Sequence, residues 1–143
     1  MRIEFFSENG YMKPDAIHAG VYQFKIGLLR KKDKYRSLYV GESYSMALRC
    51  SNHLYEVFHT DPSYFGLTRE NLEDGRLRMM VEIYEKVLMP EGTTNSERNI
   101  LLREREKAAI EKLRPLAQVQ GSDQLNKDRV EIVQKAIAEL LHD

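Results

Sequence analysis

The sequence lacks the features that mark secreted and membrane proteins. Among 143 residues it has a single cysteine, Cys50, so no internal disulfide can form. Its apolar runs are far shorter than the ~20 residues of a membrane-spanning helix, and no signal-peptide pattern opens the chain. Cysteine and histidine do not occur at zinc-binding spacing. We therefore expect a cytoplasmic protein in a reducing setting, with no membrane association.

The sequence also lacks an excess of charge of either sign. Its 22 basic and 22 acidic residues give a net charge of zero, which weighs against a dedicated high-affinity nucleic-acid binder. Internal repeats and low-complexity stretches are missing too, which excludes a solenoid or a linker array. With 42% hydrophobic and 31% charged residues, we predict one folded domain over residues 1–143.

Strand and helix patterns alternate along the chain. The predicted elements are strands at 2–6, 20–29, 37–41 and 77–88, and helices from Ser43 or Ser45 to Phe58, from Thr94 or Asn95 to Arg114, and at 126–141. Residues 61–75 are predicted to form a loop that contains one turn of helix. Setting the short first strand aside, the order β–β–α–β–α–α predicts an α+β fold. It would be a small antiparallel three-stranded sheet flanked by helices, with an extra C-terminal helix.

A local basic cluster interrupts the overall balance of charge. Six basic residues stand against one acidic residue at 25–36, in and beside the predicted hairpin turn: Lys25, Arg30, Lys31, Lys32, Lys34 and Arg36. One interpretation is a solvated hairpin tip. The other is a surface that binds the phosphate backbone of a nucleic acid.

Two short motifs that combine glycine and tyrosine stand on neighbouring predicted strands. Gly20-Val21-Tyr22 begins one strand, and Tyr39-Val40-Gly41 ends the next. Each motif alone is ordinary, because strand tyrosines usually serve packing and strand glycines usually mark a turn or bulge. An antiparallel hairpin nevertheless places the two tyrosines side by side.

Arg49 and His53 follow on the first long helix. At ~100° per residue they lie about 40° apart, on a polar face that is turned away from the apolar side of the helix. That apolar side consists of Ala47, Cys50, Leu54, Val57 and Phe58. This polar face is either a solvated surface or one wall of a site.

Glu106 differs from its neighbours on the second long helix. It projects about 60° from the centre of the apolar stripe, whereas Glu104 and Glu111 project roughly 140–160° away, toward solvent. The stripe consists of Leu101, Leu102, Ala108, Ala109, Ile110 and Leu113. Glu106 is therefore placed to line a cleft, where a carboxylate needs a cation or a metal as its partner.

Taken in order, these features resemble the GIY-YIG nuclease family. That family has a G-[IV]-Y strand, a Y-[IV]-G strand and an arginine on the next helix, often followed four residues later by histidine. A metal-binding glutamate then lies nine residues before the proline of a P-x-x-N turn. Here Glu106 lies nine residues before Pro115. The resemblance covers roughly residues 18–118.

The sequence departs from the family pattern at three places, one of which is a segment between Phe58 and Leu77 that is longer than in minimal members of the family. Sixteen residues separate Tyr22 from Tyr39, which is more than is usual in the family and makes the hairpin longer. Gln118 stands where the family usually has asparagine, so the amide group is retained but on a longer side chain.

The resemblance implies a divalent-metal-dependent endonuclease that hydrolyses phosphodiester bonds in DNA, with RNA left open as a substrate. Glu106 would hold one Mg²⁺ or Mn²⁺ ion, and Arg49 would stabilise charge on the phosphate. Tyr22 would act as general base, with its pKa lowered by Arg49 and the metal. Tyr39 would hydrogen-bond the water or the phosphate, and His53 would assist proton transfer or orient Tyr22.

Two alternatives to an enzyme remain at this point. One is a binding module for nucleic acid or protein that has a GIY-YIG-like fold but no catalysis. The other is an unrelated α+β domain in which the short motifs are accidental. The C-terminal helix adds a separate question, because its apolar stripe fits either a homodimer interface or a cap on the chain's own core.

Overall fold

The structure is a computed structural model that describes residues 1–142 and has an α+β fold. The strands are β1 (Arg2–Phe5), β2 (Ser7–Glu8), β3 (Tyr11–Met12), β4 (Gly20–Leu28), β5 (Tyr35–Ser43) and β6 (Leu77–Lys86). The helices are α1 (Met46–Tyr55), α2 (Arg69–Glu73), α3 (Asn95–Leu113) and α4 (Arg129–Leu141). Short 3₁₀ turns at Pro14–Ile17 and Pro62–Phe65 and a π-helical turn at Glu56–Thr60 complete the elements.

The main sheet has four strands in the order β1-β6-β4-β5, and it is mixed. Strand β4 pairs antiparallel with both β5 and β6, whereas β1 pairs parallel with β6. The prediction of a three-stranded antiparallel sheet was therefore wrong. The outer edge of β6 would otherwise be open, and β1 covers it by satisfying its backbone hydrogen bonds. Strands β2 and β3 form a separate small hairpin that was not predicted.

Alternate side chains of the sheet enter two separate cores. Tyr22 and Phe24 belong to a large cluster that also contains Met46 and Cys50 of α1. The same large cluster includes the buried side of α4, namely Val133, Ala136 and Ile137. Val21 and Val40 belong instead to a small cluster with Ala109 and Ile110 of α3. Because successive strand residues point to opposite faces, α1 and α4 cover one face of the sheet and α3 the other.

The C-terminal helix uses its apolar stripe within the monomer. Val133, Ala136 and Ile137 are buried, and Leu140 packs against the same core. The stripe therefore caps the chain's own core. A homodimer through this helix stays a prediction, but it loses the observation that suggested it.

The long helices begin and end near their predicted positions. Thr94 caps α3 by accepting a hydrogen bond from the backbone N–H of Glu97, and Arg114 ends the helix in the left-handed conformation just before Pro115. Helix α4 begins at Arg129, three residues later than predicted. None of the helices within residues 1–142 is long and apolar enough to cross a membrane.

Candidate functional site

The two glycine–tyrosine motifs meet across the β4–β5 pair. Tyr22 lies opposite Gly41, and a Cβ built on Gly41 would collide with the ring and hydroxyl of Tyr22. The tyrosine ring therefore occupies the space where a side chain at position 41 would stand. The ring thus carries the Tyr22 hydroxyl across β5, the last strand of the sheet, while the side chain stays buried.

His53 of α1 meets the Tyr22 hydroxyl at this edge. Its Nε2 shares a 2.9 Å hydrogen bond with the Tyr22 hydroxyl, and both side chains are buried. Its ring centroid also lies 5.1 Å from that of Tyr39. His53 therefore contacts both tyrosines of the motifs.

The burial of His53 differs from the polar helix face that the sequence predicted. Tyr64 and Phe65, in the 3₁₀ turn at Pro62–Phe65, pack over its ring with centroid distances of 5.7 and 5.5 Å. Burial lowers the pKa of His53 to about 4, and the positive charge of Arg49 acts in the same direction. The imidazole is therefore neutral at pH 7. Helical geometry alone does not show that a later loop folds back over this face.

Arg49 remains exposed on α1, one turn before His53. Its guanidinium charge lowers the pKa of Tyr22, Tyr39 and Glu42, which places it in the electrostatic surroundings of all three. Arg49 thus lies within electrostatic range of the tyrosines and stays accessible to an anionic ligand.

Glu106 reaches the same edge from the opposite face of the sheet. It accepts a hydrogen bond from the backbone of Glu42, the residue that follows Gly41 on β5. Its negative charge raises the pKa of Tyr22 and of Tyr39. The candidate site therefore straddles the edge strand, with the tyrosines on the α1 side and the carboxylate on the α3 side.

The surroundings of Glu106 disfavour its charged form. Burial raises the pKa of Glu106 to about 7, and the carboxylates of Glu42 and Asp123 add to this effect. The backbone hydrogen bond from Glu42 and the charge of Arg103 act in the opposite direction. Glu106 lines an open cleft of about 250 Å³, whereas Glu104 and Glu111 are exposed, as helical geometry predicted. Its protonation therefore changes near neutral pH.

Arg49 alone does not lower the pKa of Tyr22 below its usual value, and a lowering by a bound metal ion stays a prediction. Burial raises the pKa of Tyr22 far above its usual value, and Arg49 offsets only part of that rise. Burial also raises the pKa of Tyr39, and neighbouring Tyr64 adds to the effect. Both phenols are therefore neutral at pH 7. The cost of burying a charged phenolate exceeds the stabilisation that one exposed guanidinium gives to it.

Gln118 fixes the strand that carries the second motif. Its side-chain amide accepts a hydrogen bond from the Val40 backbone N–H at 2.9 Å and donates one to the Val40 carbonyl at 2.8 Å. Leu116 and Ala117 donate backbone hydrogen bonds to the carbonyls of Ser37 and Leu38. The segment after Pro115 thus covers the outer edge of β5, and the longer glutamine still supplies the amide contact expected of asparagine.

Comparisons of the chain with protein-family models, curated proteins and solved structures found no match. The GIY-YIG resemblance therefore rests on the motif residues and on where the fold places them.

The donor groups fit a hard divalent cation held mainly by water. Mg²⁺ commonly uses one or two carboxylates and keeps several water ligands. Glu106 supplies one accessible carboxylate, and Glu42 and Asp123 lie near enough to raise its pKa. Within residues 1–142, no three His, Cys, Asp or Glu side chains form a group that would enclose a metal ion by themselves. The arrangement thus suits a site with one protein carboxylate rather than a full protein cage.

The predicted basic cluster lies at the far end of the hairpin. The last residue of β4, Leu28, is six residues beyond Tyr22, or about 20 Å along an extended strand. Lys25 is bound within the fold, because its ammonium group pairs with Glu82 at 2.7 Å and lies 4.2 Å from the centroid of the Tyr35 ring. Arg30, Lys32 and Arg36 are exposed. The cluster therefore does not border the tyrosines, and a role in DNA binding stays a prediction.

Several residues of the site were not found by sequence reasoning. Glu42 and Asp123 add negative charge beside Glu106, and Arg103 lies one turn before it on α3. Two signals were available in the sequence. Glu42 directly follows the second motif, and the spacing of three between Arg103 and Glu106 puts both on one side of the helix. Nothing local in the sequence marks Asp123, which the turn after Gln118 brings into position.

Proposed function

We propose that the protein is a divalent-metal-dependent endonuclease that hydrolyses phosphodiester bonds in DNA, with a fold similar to that of GIY-YIG nucleases. The observation that carries the proposal is the contact of His53 with both Tyr22 and Tyr39, with Arg49 and Glu106 close enough to change the pKa of both phenols. Glu106 approaches from the opposite face of the sheet, so the proposed site spans the edge strand β5.

Glu106 is the metal ligand in this proposal. A carboxylate held partly out of water beside other acidic groups is unfavourable by itself, and a bound Mg²⁺ or Mn²⁺ ion would relieve that cost. When bound, the ion supplies charge neutralisation at the phosphate and at the leaving oxygen.

The remaining residues bind and orient the reacting groups. Arg49 is exposed and unhindered by burial, so its guanidinium can pair with a phosphate and stabilise the extra charge of the transition state. Tyr22 and Tyr39 act as neutral phenols that position water or phosphate by hydrogen bonds. Neutral His53 fixes the orientation of Tyr22. This assignment replaces the general-base role that the resemblance implied for Tyr22.

The decisive experiment is a cleavage assay with a matched pair of variants. Plasmid and branched DNA are incubated with and without Mg²⁺ or Mn²⁺, using wild type, Glu106→Gln and Glu104→Gln. The glutamine keeps size and helix propensity but removes the charge that attracts a cation. We expect Glu106→Gln to abolish cleavage while DNA binding persists, since one source of repulsion toward phosphate is removed.

Glu104→Gln is the control, because its side chain faces solvent two residues away on α3. It should keep activity within a few-fold of wild type. Equal losses in both variants, or full cleavage by Glu106→Gln, would refute the metal-ligand role.

A non-catalytic binding module is the second candidate, and the burial of Tyr22 favours it. A phenol hidden from solvent and tied to a neutral histidine is also what a purely structural contact requires. The partly buried Glu106 opposes this reading, because a carboxylate without a metal repels phosphate. Metal-independent DNA binding by wild type, with no cleavage of duplex, branched or single-stranded DNA, would establish the module.

A further inference from the structure

One cavity close to the end of β5 has no part in the proposed chemistry. It has a volume of about 470 Å³ and is bordered by the end of β6, the segment 87–93, the start of α3 and the residue that follows β5. That size falls in the range of pockets that hold small organic ligands.

The lining of the cavity has the chemistry of a nucleotide site. Its charged side chains are basic, and no carboxylate belongs to the lining residues. Lys86 is paired with Asp15 at 3.0 Å, so Arg98, with His18 beside it, is the group left to bind a phosphate. Tyr44 and Leu88 add apolar surface, with exposed fractions of 60% and 75%. Exposed aromatic faces stack on nucleobases, and guanidinium and ammonium groups bind phosphates.

Arg98 is the feature that points most directly to a missing ligand. Its guanidinium carbon lies 5.3 Å from the centroid of the Tyr44 ring, so the charge is held beside the aromatic face. Its Nε is buried without a hydrogen-bond partner in the part of the chain that the structure describes. Buried donors are normally satisfied, so the protein's own groups do not fully engage this guanidinium, whose terminal nitrogens are the atoms that a phosphate would contact.

The cavity and the candidate site share a boundary. Tyr44 is two residues after Glu42, whose backbone binds Glu106, and the charge of Arg98 lowers the pKa of Glu42. A strand with its phosphate at Arg49 and Glu106 would therefore present a neighbouring nucleotide to the cavity.

We propose that this cavity binds one unpaired nucleotide of the substrate strand, with the base against Tyr44 and its phosphate at Arg98. A base inside a duplex is stacked and paired, so it cannot enter a pocket without leaving the helix. The preferred substrate class is thus DNA with an unpaired nucleotide beside the cleavage site, such as a flap, a bulge or a branch. The inference rests on the proposed function, because it takes a nucleic-acid strand as the ligand.

The test is a binding measurement without metal, which separates it from catalysis. A short single-stranded oligonucleotide carrying 2-aminopurine is titrated with protein in the presence of a chelator. Stacking on Tyr44 quenches the fluorescence of the base. We expect strong quenching with wild type and little with a duplex in which the probe is paired.

The variants separate stacking from general surface effects. Tyr44→Ala should remove the quenching and weaken binding on the order of tenfold, and Tyr44→Phe should restore both because the ring is kept. Arg98→Gln should weaken binding and retain quenching at saturation. Tyr55→Ala is the control, because Tyr55 is an equally exposed tyrosine that stacks on His59 outside the cavity lining.

Three results of the binding measurements would overturn the inference. They are equal quenching in wild type and Tyr44→Ala, equal loss in Tyr55→Ala, and binding of free dAMP as tightly as the oligonucleotide. Quenching without any metal-dependent cleavage would keep the inference and remove the proposed nuclease activity. Cleavage by a protein that gives no quenching would overturn the inference alone.

Discussion

At the scale of single residues, Arg49 offers the clearest separation of activity from stability. It is exposed on α1, and a surface side chain contributes little to the free energy of unfolding. Arg49→Ala should therefore leave the thermal midpoint nearly unchanged. Loss of a transition-state charge stabiliser should lower the cleavage rate by about 10²-fold or more. Melting curves and cleavage rates on the same preparation check both expectations, and a collapse of the melting temperature would mark Arg49 as structural.

Glu106 should make stability depend on pH in a defined direction. Its folded pKa of about 7 lies above its ordinary value of 4.5, so folding favours the protonated form. The stabilisation from this preference is complete below the ordinary pKa and is lost as pH rises through 7. Glu106→Gln should therefore gain stability relative to wild type at about pH 8, on the order of 1 kcal/mol after partial solvent exposure is considered.

Thermal melts at about pH 5 and pH 8 measure this difference. Mg²⁺ should raise the melting temperature of wild type at the higher pH, because an ion that binds only the folded state stabilises it. The same addition should have no effect on Glu106→Gln. If the difference in melting temperature between the two proteins did not change with pH, the raised pKa of Glu106 would be contradicted.

At the scale of secondary-structure elements, one side chain closes the outer edge of β5 at Val40. Gln118 is buried and satisfies both backbone groups of Val40. Gln118→Leu keeps a similar volume but leaves that N–H and carbonyl without partners, which should cost about 1–3 kcal/mol. Denaturant unfolding measures the loss. Gln120→Leu is the control, because Gln120 is exposed and lies only two residues after Gln118. It should change the free energy of unfolding by less than about 0.5 kcal/mol.

The elements themselves were largely predictable from sequence, whereas their partners were not. Alternation in 77–86 and the proline after α3 marked β6 and the helix end, because these signals are local. The parallel pairing of β1 with β6 joins residues more than seventy positions apart, and no local pattern encodes it. The predicted site residues were set by motif spacing. The burial of His53 depended on Tyr64 and Phe65, which only the folded loop brings over it.

At the scale of the whole molecule, Arg78 joins parts of the fold that are distant in sequence. Its buried guanidinium donates to the carbonyl of Leu28 at 3.1 Å and to that of Lys32 at 2.8 Å, and it pairs with Glu4 at 3.1 Å. One side chain on β6 thus connects β1, the end of β4 and Lys32 of the basic cluster.

Arg78→Met should destabilise the protein by about 3–5 kcal/mol, because it removes one partner of a buried, hydrogen-bonded ion pair. Arg76→Met is the matched control two residues earlier, where the guanidinium pairs with Asp74 in an exposed position. It should change the free energy of unfolding by less than about 1 kcal/mol. Equal effects in urea unfolding would show that Arg78 does not hold the sheet together.

The contact between Gln118 and Val40 also has a consequence for the order of events during synthesis. Strand β5 leaves the ribosome early, but the amide that closes its edge follows 78 residues later. Contacts at such separation form late, because the intervening chain must first lose its freedom. A nascent chain can thus pair β4 with β5 and bring the two tyrosines together while the edge of β5 is still open to other strands. Closure of that edge and arrival of Glu106 both wait for the last third of the chain, so the candidate site is complete only when synthesis is nearly finished.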